Sequence, residues 1–171
     1  MLDIVTATIL IIFVVNYYRQ YAKGVRFEKY TANLFPKDKW VISDRTKDSS
    51  KKFDRIVESD MNPDFTFRHI ATGKHLAVEC KFRSYFLRGK YGDDGMWWKK
   101  VQGERYKKYG EVKNVPVYII LGLGGTPARP DRVFLCPLHV FNEAPYGFIT
   151  EKILKPFERK ANEKVSDFPL T

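Results

Sequence analysis

Between residues 64 and 82 side-chain character alternates with a period of two. The two runs that carry it, residues 64–70 and 75–82, flank the turn-forming Ala71-Thr72-Gly73-Lys74. Successive strand residues point to opposite faces, so this pattern specifies a β-hairpin. A two-residue turn at Thr72-Gly73 pairs Ile70 with His75, Thr66 with Glu79 and Asp64 with Lys81. Asp64, Thr66, Glu79 and Lys81 then share one face, and Phe65, Phe67, Leu76, Val78 and Cys80 form the other, apolar enough for a core. A one-residue slip would turn Glu79 and Lys81 to the wrong side, so the register is strongly constrained.

The rest of the chain supplies partners for that hairpin. Residues 115–123 are a nearly continuous apolar run, the mark of a strand buried on both faces, and residues 132–138 read as a further strand. Phe27, Tyr30 and Leu34 fall on one helical stripe that ends at Phe35-Pro36, and Trp40-Val41-Ile42 is a short strand. Residues 97–109 have helical character with Gly110 as C-cap. Residues 83–95, basic and glycine-rich, suggest a mobile loop. Residues 48–52 suggest an exposed connection, and residues 149–157 form a short amphipathic stretch before a polar tail. The predicted order is helix, strand, strand, strand, helix, strand, strand: an α/β (α+β) fold with a mixed sheet flanked by helices.

Composition narrows the function. With 44% hydrophobic and 29% charged residues, 171 residues suffice for one domain with a real core. The surplus of 30 Lys+Arg over 20 Asp+Glu gives +10, which favours a polyanionic partner: nucleic acid or an anionic membrane surface. Two cysteines, Cys80 and Cys136, exclude a disulfide scaffold and a Cys-rich zinc module. His69, His75 and His139 lack zinc-ligand spacing, and no Gly-Lys-Ser/Thr phosphate loop, dinucleotide fingerprint or nucleophile elbow is present.

Residues 4–15 carry no charge and are broken only by Thr6 and Thr8. Tyr17 and Tyr18 follow, and then Arg19, Lys23, Arg26 and Lys29. As a helix, residues 2–18 span about 25 Å, slightly short of a bilayer core. The tyrosines suit an interfacial belt and the cations a cytoplasmic flank. The expectation is a single-pass membrane anchor over residues 1–22 with the domain of residues 23–171 in the cytoplasm. The alternative is an N-terminal helix or strand of a cytoplasmic domain.

Two carboxylates a few ångströms apart repel unless a cation lies between them, and oxygen ligands suit Mg²⁺ or Mn²⁺. Asp64, Glu79 and the Cys80 carbonyl are the candidate ligands. A metal-held water could attack a phosphodiester, with Lys81 orienting it or stabilising the charge on phosphorus. The competing reading of the same residues is a solvated Asp–Glu–Lys cluster.

Pro63-Asp64, fourteen intervening residues and then Glu79-Cys80-Lys81 resembles the signature of PD-(D/E)XK nucleases, the restriction-endonuclease-like superfamily. The element order from about residue 26 to residue 138 is similar as well. The resemblance implies that Asp64 and Glu79 bind divalent metal, that Lys81 assists catalysis, and that Glu28 on the first helix is an additional metal-site acid. Gln102-Gly103-Glu104-Arg105-Tyr106 resembles the Gln-x-x-x-Tyr helix of the exonuclease branch, which adds Gln102 and Tyr106 to the catalytic set. Gly103 departs from a good helix former there and costs about 1 kcal/mol against alanine, unless it permits close backbone approach.

Arg83, Arg88, Lys90, Trp97, Trp98, Lys99, Lys100 and Arg105 lie between the hairpin and the end of the next helix. Cations contact phosphates and aromatics stack on splayed bases, so these are candidate nucleic-acid contacts, with one tryptophan expected in the core. The sequence therefore points to a membrane-tethered, Mg²⁺-dependent nuclease acting on DNA or, second, RNA. The alternatives are a non-catalytic nucleic-acid-binding module on the same fold, and a membrane-surface protein binding anionic lipid.

Overall fold

The computed structural model describes residues 4–46 and 62–167. The connection expected at residues 48–52 and the end of the polar tail lie outside the described residues. The elements run α1 (Ile4–Leu34), β1 (Trp40–Arg45), β2 (Phe65–His69), β3 (His75–Arg83), β4 (Leu87–Arg88), β5 (Asp94–Trp97), α2 (Lys100–Lys113), β6 (Val117–Leu123), β7 (Arg132–Pro137), α3 (Leu138–Asn142), β8 (Phe148–Thr150), α4 (Glu151–Leu154) and β9 (Glu158–Arg159). The expected order of helix, three strands, helix and two strands is present, with small elements added to it.

Six strands form the main sheet in the order β1-β2-β3-β6-β7-β9. β3 and β6 are parallel and every other neighbouring pair is antiparallel. A parallel pair needs a crossover, and α2 supplies it across one face of the sheet. The central strand β6 is buried along its whole length, as its apolar run requires. Its alternate residues serve two cores. Tyr118 and Ile120 meet Phe27, Tyr30 and Leu34 of α1 together with Phe65, Phe67, Leu76 and Val78. Ile119 and Leu121 meet Trp98 and Tyr106 beside α2, and Leu138 and Phe141 of α3. The hairpin's apolar face is thus the floor under α1.

The hairpin register differs from the expected one by two residues. The observed pairs include Thr66↔Ala77 and Arg68↔His75. The turn is wider than two residues: the His69 N–H donates to the Lys74 carbonyl at 2.8 Å, and the Gly73 N–H to the His69 carbonyl at 2.8 Å. Gly73 has a φ of +69°, a conformation that costs glycine nothing, and the Thr72 hydroxyl is 2.9 Å from the His69 ring nitrogen. A shift of two keeps every side chain on its predicted face. Continued by two residues, the ladder sets Asp64 opposite Glu79 instead of Lys81.

Three other expectations are corrected. Residues 83–95 hold β4 and β5, which join β8 in a three-stranded sheet. The crossover helix starts at Lys100 and runs past Gly110 to Asn114, whose φ of 50° makes it the left-handed cap. At the amino terminus, α1 is one uninterrupted 31-residue helix that carries both the apolar run and the core stripe. Among the described residues no helix is long and apolar enough to cross a membrane, so the expected single-pass span is not found.

Candidate nuclease site

Glu79 and Lys81, two apart on β3, project to the face covered by α2. Glu79 is only 4% exposed, which removes the reading of a solvated charge cluster. Its Oε1 accepts a short hydrogen bond from Lys81 Nζ. The same oxygen lies 3.5 Å from Gln102 Nε2, which also donates to the Tyr106 hydroxyl at 2.6 Å. Gln102 and Tyr106 are one turn apart on α2, so both side chains reach the carboxylate from one helical face. Burial, and then the Glu79 charge beside it, push the Tyr106 phenol well above its ordinary range, which keeps it protonated.

Asp64 stands just ahead of β2. Its Oδ2 accepts from the Cys80 N–H at 2.7 Å. Burial raises its pKa well above the usual carboxylate range, and Glu79 raises it further; the Cys80 hydrogen bond offsets this only in part. Glu28 acts in the same direction at smaller size. Lys81 acts in the opposite direction, at smaller size still. Glu28 is held at 3.1 Å by Arg45 Nη2, on the next element.

Among the described residues no three His, Cys, Asp or Glu side chains converge closely enough to hold a metal ion. The oxygens that could hold a hard cation here are those of Asp64, Glu79 and the Cys80 carbonyl, donors of the kind Mg²⁺ and Mn²⁺ take. The Cys80 side chain packs against the core under α1, on the face away from Glu79, and burial and then Asp64 raise its thiol.

The predicted binding residues divide. Trp98 is 5% exposed, donates from Nε1 to Asn142 Oδ1 at 3.1 Å and packs edge-on to Phe141. It is the tryptophan that belongs to the core, and so it is not available as a nucleic-acid contact. Trp97 is its outward neighbour on β5, 61% exposed and edge-on to Phe148. Lys99, Lys100 and Arg105 are exposed on and ahead of α2, and Arg83 is exposed at the end of β3. Arg88 sits 3.5 Å from Asp94, and Lys90 lies over the Tyr91 ring.

Gly103 is a close approach. A Cβ there would lie 1.9 Å from Asn142 Oδ1 and 2.8 Å from Trp98 Nε1. It lets α2 sit against α3, which holds Gln102 and Tyr106 over Glu79.

Sequence reasoning missed Tyr109 and Arg45. The Tyr109 hydroxyl is 2.9 Å from that of Thr66 and ties α2 to β2 beside the carboxylates. Its signal was the spacing 102, 106, 109, one helical stripe. Arg45 gave none, because its partnership with Glu28 depends on how β1 passes α1.

The mixed sheet, with its flanking helices in this order, is a restriction-endonuclease-like fold. Among solved structures, the chain is similar to the Holliday junction resolvase Hjc of Archaeoglobus fulgidus, with a TM-score of 0.56 and 17% identity over 80% of this chain and 95% of that one. No family model matches the chain, and no curated protein sequence does.

Proposed function

We propose that the protein is a divalent-metal-dependent nuclease that hydrolyses phosphodiester bonds in DNA. The observation that carries this reading is the placement of Asp64, half-buried just ahead of β2, beside the Cys80 N–H and the buried Glu79 of β3, with Lys81 paired to Glu79. The similar solved structure, a Holliday junction resolvase, supports DNA over RNA. Asp64, Glu79 and the Cys80 carbonyl would hold Mg²⁺ or Mn²⁺, which would supply an activated water and charge neutralisation at the phosphate. Glu28 joins them only if it leaves Arg45. Gln102 and Tyr106 fix the Glu79 carboxylate by hydrogen bonds. Lys81, now ion-paired with Glu79, would turn its ammonium towards the phosphate oxygens and stabilise the negative charge that builds there.

The test is a digestion panel of linear single strands, duplexes and four-way junctions of DNA, with matching RNAs, run beside a thermal-shift titration with Mg²⁺ and Mn²⁺. Glu79→Gln should lose both the metal-induced shift and cleavage. Lys81→Met leaves the carboxylates in place, so it should keep the shift and lose cleavage by about 10²-fold or more. A wild type that binds DNA and cuts none of these substrates with either metal would make the protein a binding module instead.

We infer also that the N-terminal half of α1 attaches the domain to an anionic lipid surface. Ile9, Leu10, Ile11, Ile12 and Phe13 are each more than half exposed. Five consecutive positions exposed this way cover every face of a helix, which suits an apolar surrounding better than a single protein groove. Arg19, Arg26 and Lys29 follow, exposed, where headgroups would lie.

A further inference from the structure

A cleft of about 420 Å³ opens beside Lys81, between α1 and the C-terminal end of β3. Gln20, Lys23 and Gly24 form one wall; Lys81, Arg83 and Tyr85 are on the other side. We propose that this cleft is the track along which a single DNA strand enters the site, its phosphates gripped from facing walls by Lys23 and Arg83. The proposal deepens the nuclease reading and rests on it for the identity of the strand.

Three observations converge. Among the described residues no acidic side chain lines the cleft, and neither Lys23 nor Arg83 is paired with a carboxylate; Arg83 donates to the Phe82 carbonyl at 3.0 Å. Two unneutralised cations across a groove that begins at a nuclease lysine match a phosphodiester backbone. Gly24 sits inside α1 although glycine is the poorest helix former after proline. A Cβ at Gly24 would meet no atom within 4 Å, so no packing among the described residues accounts for it, whereas close approach of a ligand does. At the mouth, Tyr85 is 71% and Leu87 45% exposed, a stacking surface for an unpaired base. The volume is that of a small-molecule pocket, enough for a nucleotide unit or two of one strand.

The experiment uses the full chain in EDTA, where nothing is cut, and a fluorescein-labelled single-stranded oligonucleotide read by anisotropy across a salt series. Lys23→Ala and Arg83→Ala should each weaken binding several-fold and lower the salt slope by about one. Gly24→Phe should weaken it tenfold or more with an unchanged melting temperature. Lys37→Ala, an exposed cation past the far end of α1, should leave binding unchanged and so control for net charge. If Gly24→Phe lowers the melting temperature, the decision passes to Lys23→Glu and Arg83→Glu, which should abolish binding.

Wild-type affinity in all the cleft variants would overturn the track while leaving the nuclease reading intact, provided that wild type cuts DNA with Mg²⁺. Loss of binding in the variants of a wild type that cuts nothing would keep the track and sink the nuclease reading. Variants that lose binding to phosphatidylserine vesicles while keeping oligonucleotide affinity would assign the cleft to lipid headgroups, and overturn the proposal.

Discussion

Asp64 is a carboxylate placed where the fold alone would not choose to put one. It accepts one backbone hydrogen bond, from Cys80, yet burial and the neighbouring Glu79 still favour its neutral form. Asparagine keeps an oxygen for the Cys80 N–H and removes the charge. Asp64→Asn should therefore raise the melting temperature at neutral pH without added metal. A gain of about 1 kcal/mol corresponds to roughly 2–4 °C for a chain of this size, and calorimetry in EDTA checks it. The same variant should show no Mg²⁺-induced shift; if it melts below wild type, the charge at Asp64 is better compensated than its surroundings indicate. This residue was legible in the sequence because the Asp, Glu and Lys positions share strand parity, and parity survived the two-residue error in register. Its burial was not legible, since the covering helix comes some twenty residues after β3 and nothing in the hairpin announces it.

At the scale of elements, α2 is the part on which the site depends. It reaches Glu79 only because Gly103 lets it lie against Asn142 and Trp98. Gly103→Ala gains helix propensity but forces a methyl to within 1.9 Å of Asn142 Oδ1. The net effect should be a loss of about 1–3 kcal/mol, the usual cost of overpacking, seen as a lower midpoint in urea. The helix itself was readable from its periodicity. The three-stranded sheet was not: β4 has two residues, β5 has four, and β5 pairs with β8 about fifty residues later. Strands that short contain no measurable alternation, and their glycines read as loop. A second tie is equally invisible to local pattern. Arg132 on β7 bonds Glu158 on β9 through two nitrogens, at 2.7 and 3.0 Å, and Glu151 on α4 at 2.6 Å. The Arg132 hydrogen bonds, then that of Lys155, lower the Glu158 pKa to about 2. A depressed carboxylate stabilises the fold above its unfolded value of 4.5, and this contribution is lost as pH falls through 4.5 towards 2. Glu158→Gln should therefore flatten the acid limb of a stability–pH curve in that window and cost about 1 kcal/mol at pH 7, the exposed half of the network being screened by solvent.

On the scale of the whole molecule, α1 joins two kinds of surface in one rod of about 46 Å. Its C-terminal turns are core: Phe27 and Leu34 are buried under the sheet. Its N-terminal turns have no apolar partner among the described residues, with Phe13 72% and Tyr18 64% exposed. The sequence showed both halves as separate segments and could not show that no break lies between them, since Gly24 falls inside the continuous helix. The continuity has a mechanical consequence: whatever holds the first turns also orients the cleft wall formed by Gln20, Lys23 and Gly24. Burying the exposed apolar side chains is worth about 25 cal/mol per Å² of surface removed from water, so attachment to lipid should be strong and should tolerate the loss of any one side chain. Full-length protein should float with vesicles containing phosphatidylserine, and more weakly with uncharged vesicles, because Arg19, Arg26 and Lys29 add electrostatic attraction. Replacing Ile9, Ile12 and Phe13 together by serine should abolish flotation while leaving the melting temperature within about 2 °C, since none of the three reaches the core. Oligonucleotide binding should survive in that variant, because the cleft lies further along the helix. If the triple variant instead unfolds, or the wild type elutes as a dimer that the variant does not form, these turns pack against protein and lipid attachment is the wrong reading of them.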